Sequence, residues 1–151
     1  IICLSILTSI SIHSQNCFYF HEYNCKHALV SYFYNGQSKS AVFKGGQTSK
    51  LHIIVYGGED YFISVCTEKK FGNVHFRVLE DTPAKTLLFD NANNNYKPSM
   101  SFTNRTTRKL IIEVTPLTEK GDKHADELRC VGVLIMFRKT FVEKPESKTG
   151  F

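Results

Sequence analysis

The residues that could do chemistry in this chain are its six histidines, five cysteines and a scatter of carboxylates. His52 and His75 fall on different predicted strands, each on the side opposite the main apolar stripe. Pairing of those strands would bring two imidazoles together as metal ligands; the simpler reading is two surface histidines, with no metal and no cofactor. His21 and His27 flank Cys25, but a Cys–His nucleophile needs a free thiol, and Cys25 is expected to be oxidised. No Gly-x-Ser-x-Gly elbow occurs. Glycosidase chemistry requires two carboxylates facing across a cleft. Glu59, Asp60, Glu80, Asp81 and Asp90 all fall in predicted turns, where acids serve as solvated turn formers. The run Asp90-Asn91-Ala92-Asn93-Asn94-Asn95 offers oxygens to calcium, yet it lacks the acidic density and glycine of an EF-hand loop; Asn-rich turns also suit left-handed backbone. Asn104-Arg105-Thr106 is a formal glycosylation sequon. No residue is assigned a catalytic role, and no binding residue is fixed by a motif.

The cysteines speak more clearly of compartment. Residues 1–12 read IICLSILTSISI, an uncharged apolar run too short to span a bilayer, which needs about 20 residues. Followed by His13-Ser14-Gln15, it matches the apolar core of a secretory signal. Cleavage after Ser14 would remove Cys3 and leave Cys17, Cys25, Cys66 and Cys130, an even set suited to an oxidising compartment. Four cysteines allow three pairings. The expected one is Cys17–Cys25, a local loop, with Cys66–Cys130 joining two strands distant in sequence. No two cysteines have the C-x₂₋₄-C spacing of a zinc site.

The elements that must position these residues are strands. Aromatics are twelve Phe and seven Tyr with no Trp, a bias that suits pleated, half-buried surfaces. Short apolar or alternating runs at 30–34, 41–44, 51–56, 61–67, 74–79, 86–89, 100–103, 110–115 and 129–138 are separated by turn residues, Asn35-Gly36 being a strong hairpin signal. Eight or nine strands at this spacing predict one antiparallel β-sandwich, jelly-roll-like. The segment 17–29 is read as one or two helical turns tied down by a disulfide. The domain is drawn as 15–143, after a signal remnant at 1–14 and before a loose tail at 144–151. The net charge of +5 is spread along the chain with no run of like charges, which argues against a nucleic-acid footprint.

Phrases such as Tyr34-Asn35-Gly36-Gln37-Ser38, Gly58-Glu59-Asp60-Tyr61, Leu88-Phe89-Asp90-Asn91, Leu110-Ile111-Ile112-Glu113-Val114 and Cys130-Val131-Gly132-Val133-Leu134-Ile135 resemble those of small exported bacterial β-sandwich proteins of unassigned function. The order of the strands is, more distantly, similar to prepeptidase C-terminal and GOLD-like domains. The resemblance implies a sandwich fold and an exported location, and it transfers no activity. Tyr19, Phe20, Tyr23, Tyr32, Phe33, Tyr34 and Tyr56 exceed what one sandwich face requires, and Tyr is favoured at recognition surfaces. The expectation is an exported, non-catalytic module, periplasmic or extracellular, that binds a protein or a cell-envelope glycan, with no membrane span once the signal is removed. The alternatives are a self-associating component of the envelope or matrix, acting through sheet edges, and a hydrolase with an unfamiliar carboxylate site.

Overall fold

The computed structural model describes residues 16–29 and 31–141. The signal reading for 1–14 and the loose-tail reading for 144–151 lie outside the described residues. Within them a short helix, α1 (Phe20–Asn24), precedes nine strands: β1 (Phe33–Tyr34), β2 (Lys39–Phe43), β3 (Ser49–Val55), β4 (Glu59–Thr67), β5 (Val74–Glu80), β6 (Leu87–Asp90), β7 (Ser99–Asn104), β8 (Arg108–Pro116) and β9 (Arg129–Lys139). Every pairing is antiparallel.

Sheet A runs β2-β9-β4-β7, with β1 also on β9, and sheet B runs β3-β8-β5-β6. The pairs β2–β9, β3–β8, β4–β7 and β5–β6 are nested like one long folded hairpin. That nesting produces the double-sheet jelly roll. The fold class expected from the strand spacing is the one observed.

Side chains alternate across each strand, so Tyr61, Ile63 and Val65 on β4 and Val131, Val133 and Ile135 on β9 face Ile53, Val55, Phe76, Val78, Leu110 and Ile112 of sheet B. These aliphatic and aromatic side chains are almost completely removed from water, and their burial is the main favourable term in folding. Three polar groups close the ends of this core. The Tyr61 hydroxyl donates to Glu59 at 2.6 Å and accepts from the Tyr56 amide at 2.8 Å; burial, with the Glu59 carboxylate beside it, pushes its pKa up to about 12. Asn91 is fully buried and bonds the Phe76 amide and the Val74 and Lys97 carbonyls. Arg129, also fully buried, donates to the His124 carbonyl at 2.7 Å and lies 3.9 Å from the centre of the Phe71 ring.

The Asn35-Gly36 turn is not a hairpin. Phe33 pairs with Phe137 and Lys39 with Val133, so β1 and β2 are two pieces of one interrupted edge strand along β9. Asn35 turns the chain out between them, its side-chain oxygen accepting from the Gln37 amide. Ser38 repairs the gap: its hydroxyl accepts from the Ile135 amide and donates to the Asn35 carbonyl at 2.7 Å, while the Asn35 amide donates to the Ile135 carbonyl. The bulged chain also carries Gln37 across to β3, where its side-chain amide bonds both the N–H and the C=O of Ile54. An edge strand is a template for unwanted pairing, and Gln37 occupies this one.

Candidate binding surface on the disulfide-pinned strap

Residues 17–29 cross the outer face of sheet A as a strap. Cys17 is bonded to Cys130 on β9, and Cys25 to Cys66 on β4. The expected pairing, Cys17–Cys25 with Cys66–Cys130, is therefore corrected. Cys66 and Cys130 do sit on neighbouring strands, Cys66 opposite Gly132, but both point outward and each takes one cysteine of the strap. The seat for α1 is Gly132. A Cβ there would lie 2.8 Å from the His21 Cα and 3.0 Å from the Cys25 sulfur, so only glycine lets the helix come down onto β9. Beneath the strap Cys25, Phe62, Leu134 and Met136 form a second, smaller core, with Ala28 and Tyr32 against it.

Polar contacts complete the docking. The Ser64 hydroxyl donates to the Lys26 carbonyl at 2.6 Å. Ser40 on β2 accepts from the His21 amide at 2.8 Å and contacts His21 Nδ1 at 2.6 Å, while His21 Nε2 is 3.1 Å from the Tyr34 hydroxyl. Both hydroxyls can donate or accept, so an imidazole with one N–H satisfies both contacts in either tautomer. Burial holds the His21 pKa below its ordinary value against the opposing charge of Glu22, which favours the neutral ring.

The outer side of the strap is aromatic. Phe18 and Tyr23 are 73% and 82% exposed, and Tyr19 is half exposed. The Phe18 and Tyr19 rings meet at 4.2 Å between centroids, Tyr19 being the left-handed N-cap residue of α1, and Tyr23 lies within the helix. Tyr34 joins from β1 through His21, their rings 6.1 Å apart. Burial and the Glu22 charge raise the Tyr34 pKa, so it remains a neutral phenol.

Of the aromatics singled out in the sequence, Tyr19 and Tyr23 are exposed on the strap and Tyr34 is exposed on β1 beside it. Phe20 and Tyr32 are half-buried, with Tyr32 against Phe62. Phe33 packs on Phe137, and Tyr56 lies in the β3–β4 turn, its amide bonded to Tyr61. Phe18, the ring beside Tyr19, was missed. Its only signal was its place next to Cys17.

The other sequence candidates are accounted for by pairing. His52 and His75 lie on β3 and β5, which both flank β8 rather than each other; His52 pairs with Asp81 and His75 with Asp90, each at 2.8 Å. No group of three potential metal ligands occurs among the described residues. Cys25 is in a disulfide, and His27 bonds the Glu22 carbonyl. Glu59, Asp60, Glu80 and Asp90 are on strands rather than in turns. Glu59 binds Lys139 and Tyr61, Asp60 binds Arg138, Thr103 and Thr140, and Glu80 binds Arg108. Burial would raise Glu59, but hydrogen bonds from Lys139 and Tyr61 pull it below its ordinary value. The hydrogen bond from Thr103, with those from Thr140 and Arg138, lowers Asp60. In the Asn-rich run, Asp90 accepts from the Ala92 amide and Asn91 is the buried plug described above. The sequon's acceptor Asn104 is buried, its Nδ2 donating to the Tyr56 and Thr106 carbonyls, so the folded protein does not present that amide for glycosylation.

No protein-family model matches this chain, and no curated protein matches it in sequence. Among solved structures it is similar to PliG of Aeromonas hydrophila, a periplasmic lysozyme inhibitor of g-type lysozyme, at 12% identity and a TM-score of 0.49 over 75% of this chain and 92% of that one. A likeness of that depth carries no functional information.

Proposed function

We propose that this chain is an exported, non-catalytic module that recognises a protein partner through the aromatic strap. The observation that carries the reading is a set of exposed rings on a short segment that two disulfides and a glycine seat hold rigidly. Exposed apolar patches cost solubility unless they are covered in use, and rings that are already ordered lose little entropy on binding. Tyr and Phe are the enriched residue types of interface cores. Export is supported by the two closed disulfides, which persist in oxidising compartments. Among the described residues no helix is long and apolar enough to cross a membrane. The non-catalytic reading is supported by the structural engagement of the candidate histidines and carboxylates.

The test is recovery of the tagged full chain from its native envelope and medium, beside a Phe18→Ala/Tyr23→Ala variant. The expected result is one stoichiometric protein partner, lost in the variant while the variant's melting temperature is unchanged. Recovery of the chain alone, or a partner that the variant retains, would overturn the assignment.

A further inference from the structure

The lysines are scattered in sequence, and the fold gathers several of them. Three open hollows lie in a row. The first, of about 480 Å³, runs between the strap and β7, lined by Lys26, Tyr32, Lys97, Ser99 and Ser101 among others. It shares Lys26 with the second, of about 430 Å³, which Asn24, Lys69 and Tyr96 also border. The second shares Gly72, Asn73 and Tyr96 with the third, of about 640 Å³, where Lys70 and Lys120 contribute. The result is one continuous groove from the outer face of β7 to the loop end of the sandwich.

Its charge is one-sided. No Asp or Glu lines the first two hollows, and Glu119 and Asp122 enter only in the third. Arg138 in the first hollow is neutralised by Asp60, and Lys70 in the third by Glu127, each at 3.1 Å. Lys26, Lys69, Lys97 and Lys120 are exposed and make no ion pair among the described residues. Lys120 shares the third hollow with Glu119 and Asp122, but Lys26, Lys69 and Lys97 stand uncompensated along the first two, where they focus positive potential and draw anions in.

We infer that this groove binds a linear acidic polysaccharide. An open row of hollows suits a polymer, whereas a compact ligand is held in an enclosed pocket. Lysine is a flexible point charge, matched to anions spaced along a chain rather than to planar two-pronged recognition. Between the cations, the exposed Asn24, Asn73 and Ser101 supply donors and acceptors for sugar hydroxyls. Tyr32 and Tyr96 add ring edges, each with an apolar body and a polar tip. Single-stranded nucleic acid is the competing polyanion, but it needs open ring faces on which successive bases stack, and these two rings are half-buried.

Alginate, a polyuronate, is the probe, titrated calorimetrically into the full chain with neutral dextran as the uncharged control. Binding to alginate and not dextran is expected, weakening as salt screens the lysines. Lys26→Gln/Lys69→Gln/Lys97→Gln should lose about tenfold or more in affinity, and the charge-matched Lys44→Gln/Arg105→Gln/Lys109→Gln should not. Absence of alginate binding, or equal loss in both triple variants, would overturn the inference. So would tighter binding of oligodeoxythymidylate or polyglutamate of equal charge. The groove uses the far end of the strap, Asn24 and Lys26, but neither Phe18 nor Tyr23 lines it, so Phe18→Ala/Tyr23→Ala should keep alginate affinity, and the groove triple should keep the protein partner.

Discussion

The two sheets share a core but present opposite outer faces. On sheet A, β4 and β9 carry Phe62, Leu134 and Met136 outward as well as core residues inward, so this face needs a cover. The strap provides it, fixed by both disulfides. On sheet B the outward positions hold charges that satisfy one another in water: Lys50 and Arg77 both pair with Glu113 across neighbouring strands, and His52 and His75 have their own aspartates. Ile111 and Leu79, which point outward among these charges, are buried there, and among the described residues no disulfide ties a segment across that face. A covering element buries one side and exposes the other, and the exposed side is free of the demands of the core. On this molecule that freedom is where the aromatic surface stands, and the strip of β7 left uncovered forms one wall of the cationic groove.

The contrast can be broken most strongly at the disulfides. Replacing Cys17 and Cys130 by Ala opens a link spanning 113 residues, and chain entropy sets the loss at about 5 kcal/mol if the link is unstrained. The same exchange at Cys25 and Cys66, 41 residues apart, should cost about 4 kcal/mol. Denaturant midpoints of the two variants, with the exposure of the Tyr32 ring followed by fluorescence, test whether the strap detaches while the sandwich persists. Negligible losses in both variants would mean that the strap adds no stability of its own.

A smaller effect is expected at Gly132→Val. A side chain there meets the His21 backbone, and overpacking of this kind costs about 1–3 kcal/mol. Thermal melts should show the loss in the disulfide-bonded protein. An unchanged melting temperature would remove Gly132 as the seat of the helix.

The pH response should separate by region. His21 is held neutral in the fold, below its ordinary 6.5, so the unfolded chain takes up the proton first. Stability is therefore full above about pH 6.5 and declines as pH falls below it. Glu59 and Asp60 have folded values below their ordinary 4.5 and 3.8, so their contribution is full above about pH 4.5 and is lost only as pH falls through the depressed values. In His21→Gln the decline between pH 7 and 5 should vanish and the acid limb remain. A decline that survives in the variant would assign it to another group.

The smallest effect belongs to sheet B. Glu113→Gln removes the charge shared by Lys50 and Arg77, and partly exposed pairs of this type contribute about 1 kcal/mol or less. Urea titration of this variant beside the disulfide variants would measure how unequal the two faces are; a loss as large as theirs would erase the distinction.

Much of the fold was legible in the sequence because strands declare themselves by local means. Alternation along 51–56 and 74–79, and the turn residues between runs, depend on neighbours within a few positions. All nine expected runs correspond to observed strands within a few residues. The failures all involve partners remote in the chain. Asn35-Gly36 looked like a hairpin because the turn chemistry is local, whereas β9 decides that the chain continues along the same edge. Glu59 and Asp60 looked like solvated turn acids until Lys139 and Arg138, some eighty residues on, were placed beside them. Asn104 carried a sequon whose amide is consumed by the Tyr56 carbonyl.

By itself the sequence determined the class: strand periodicity, turn punctuation and the supply of apolar residues left a two-layer β architecture as the way to bury them, and the cysteine content marked the chain for cross-linking. Tertiary structure alone decided which sulfur meets which, since Cys66 and Cys130 share a strand pair but face away from the core, towards the strap. It also decided which aromatics stand in water and which lysines line one groove, because neither property belongs to a residue or its neighbours. Both depend on what lies across the sheet, at distances in the chain that local pattern does not reach.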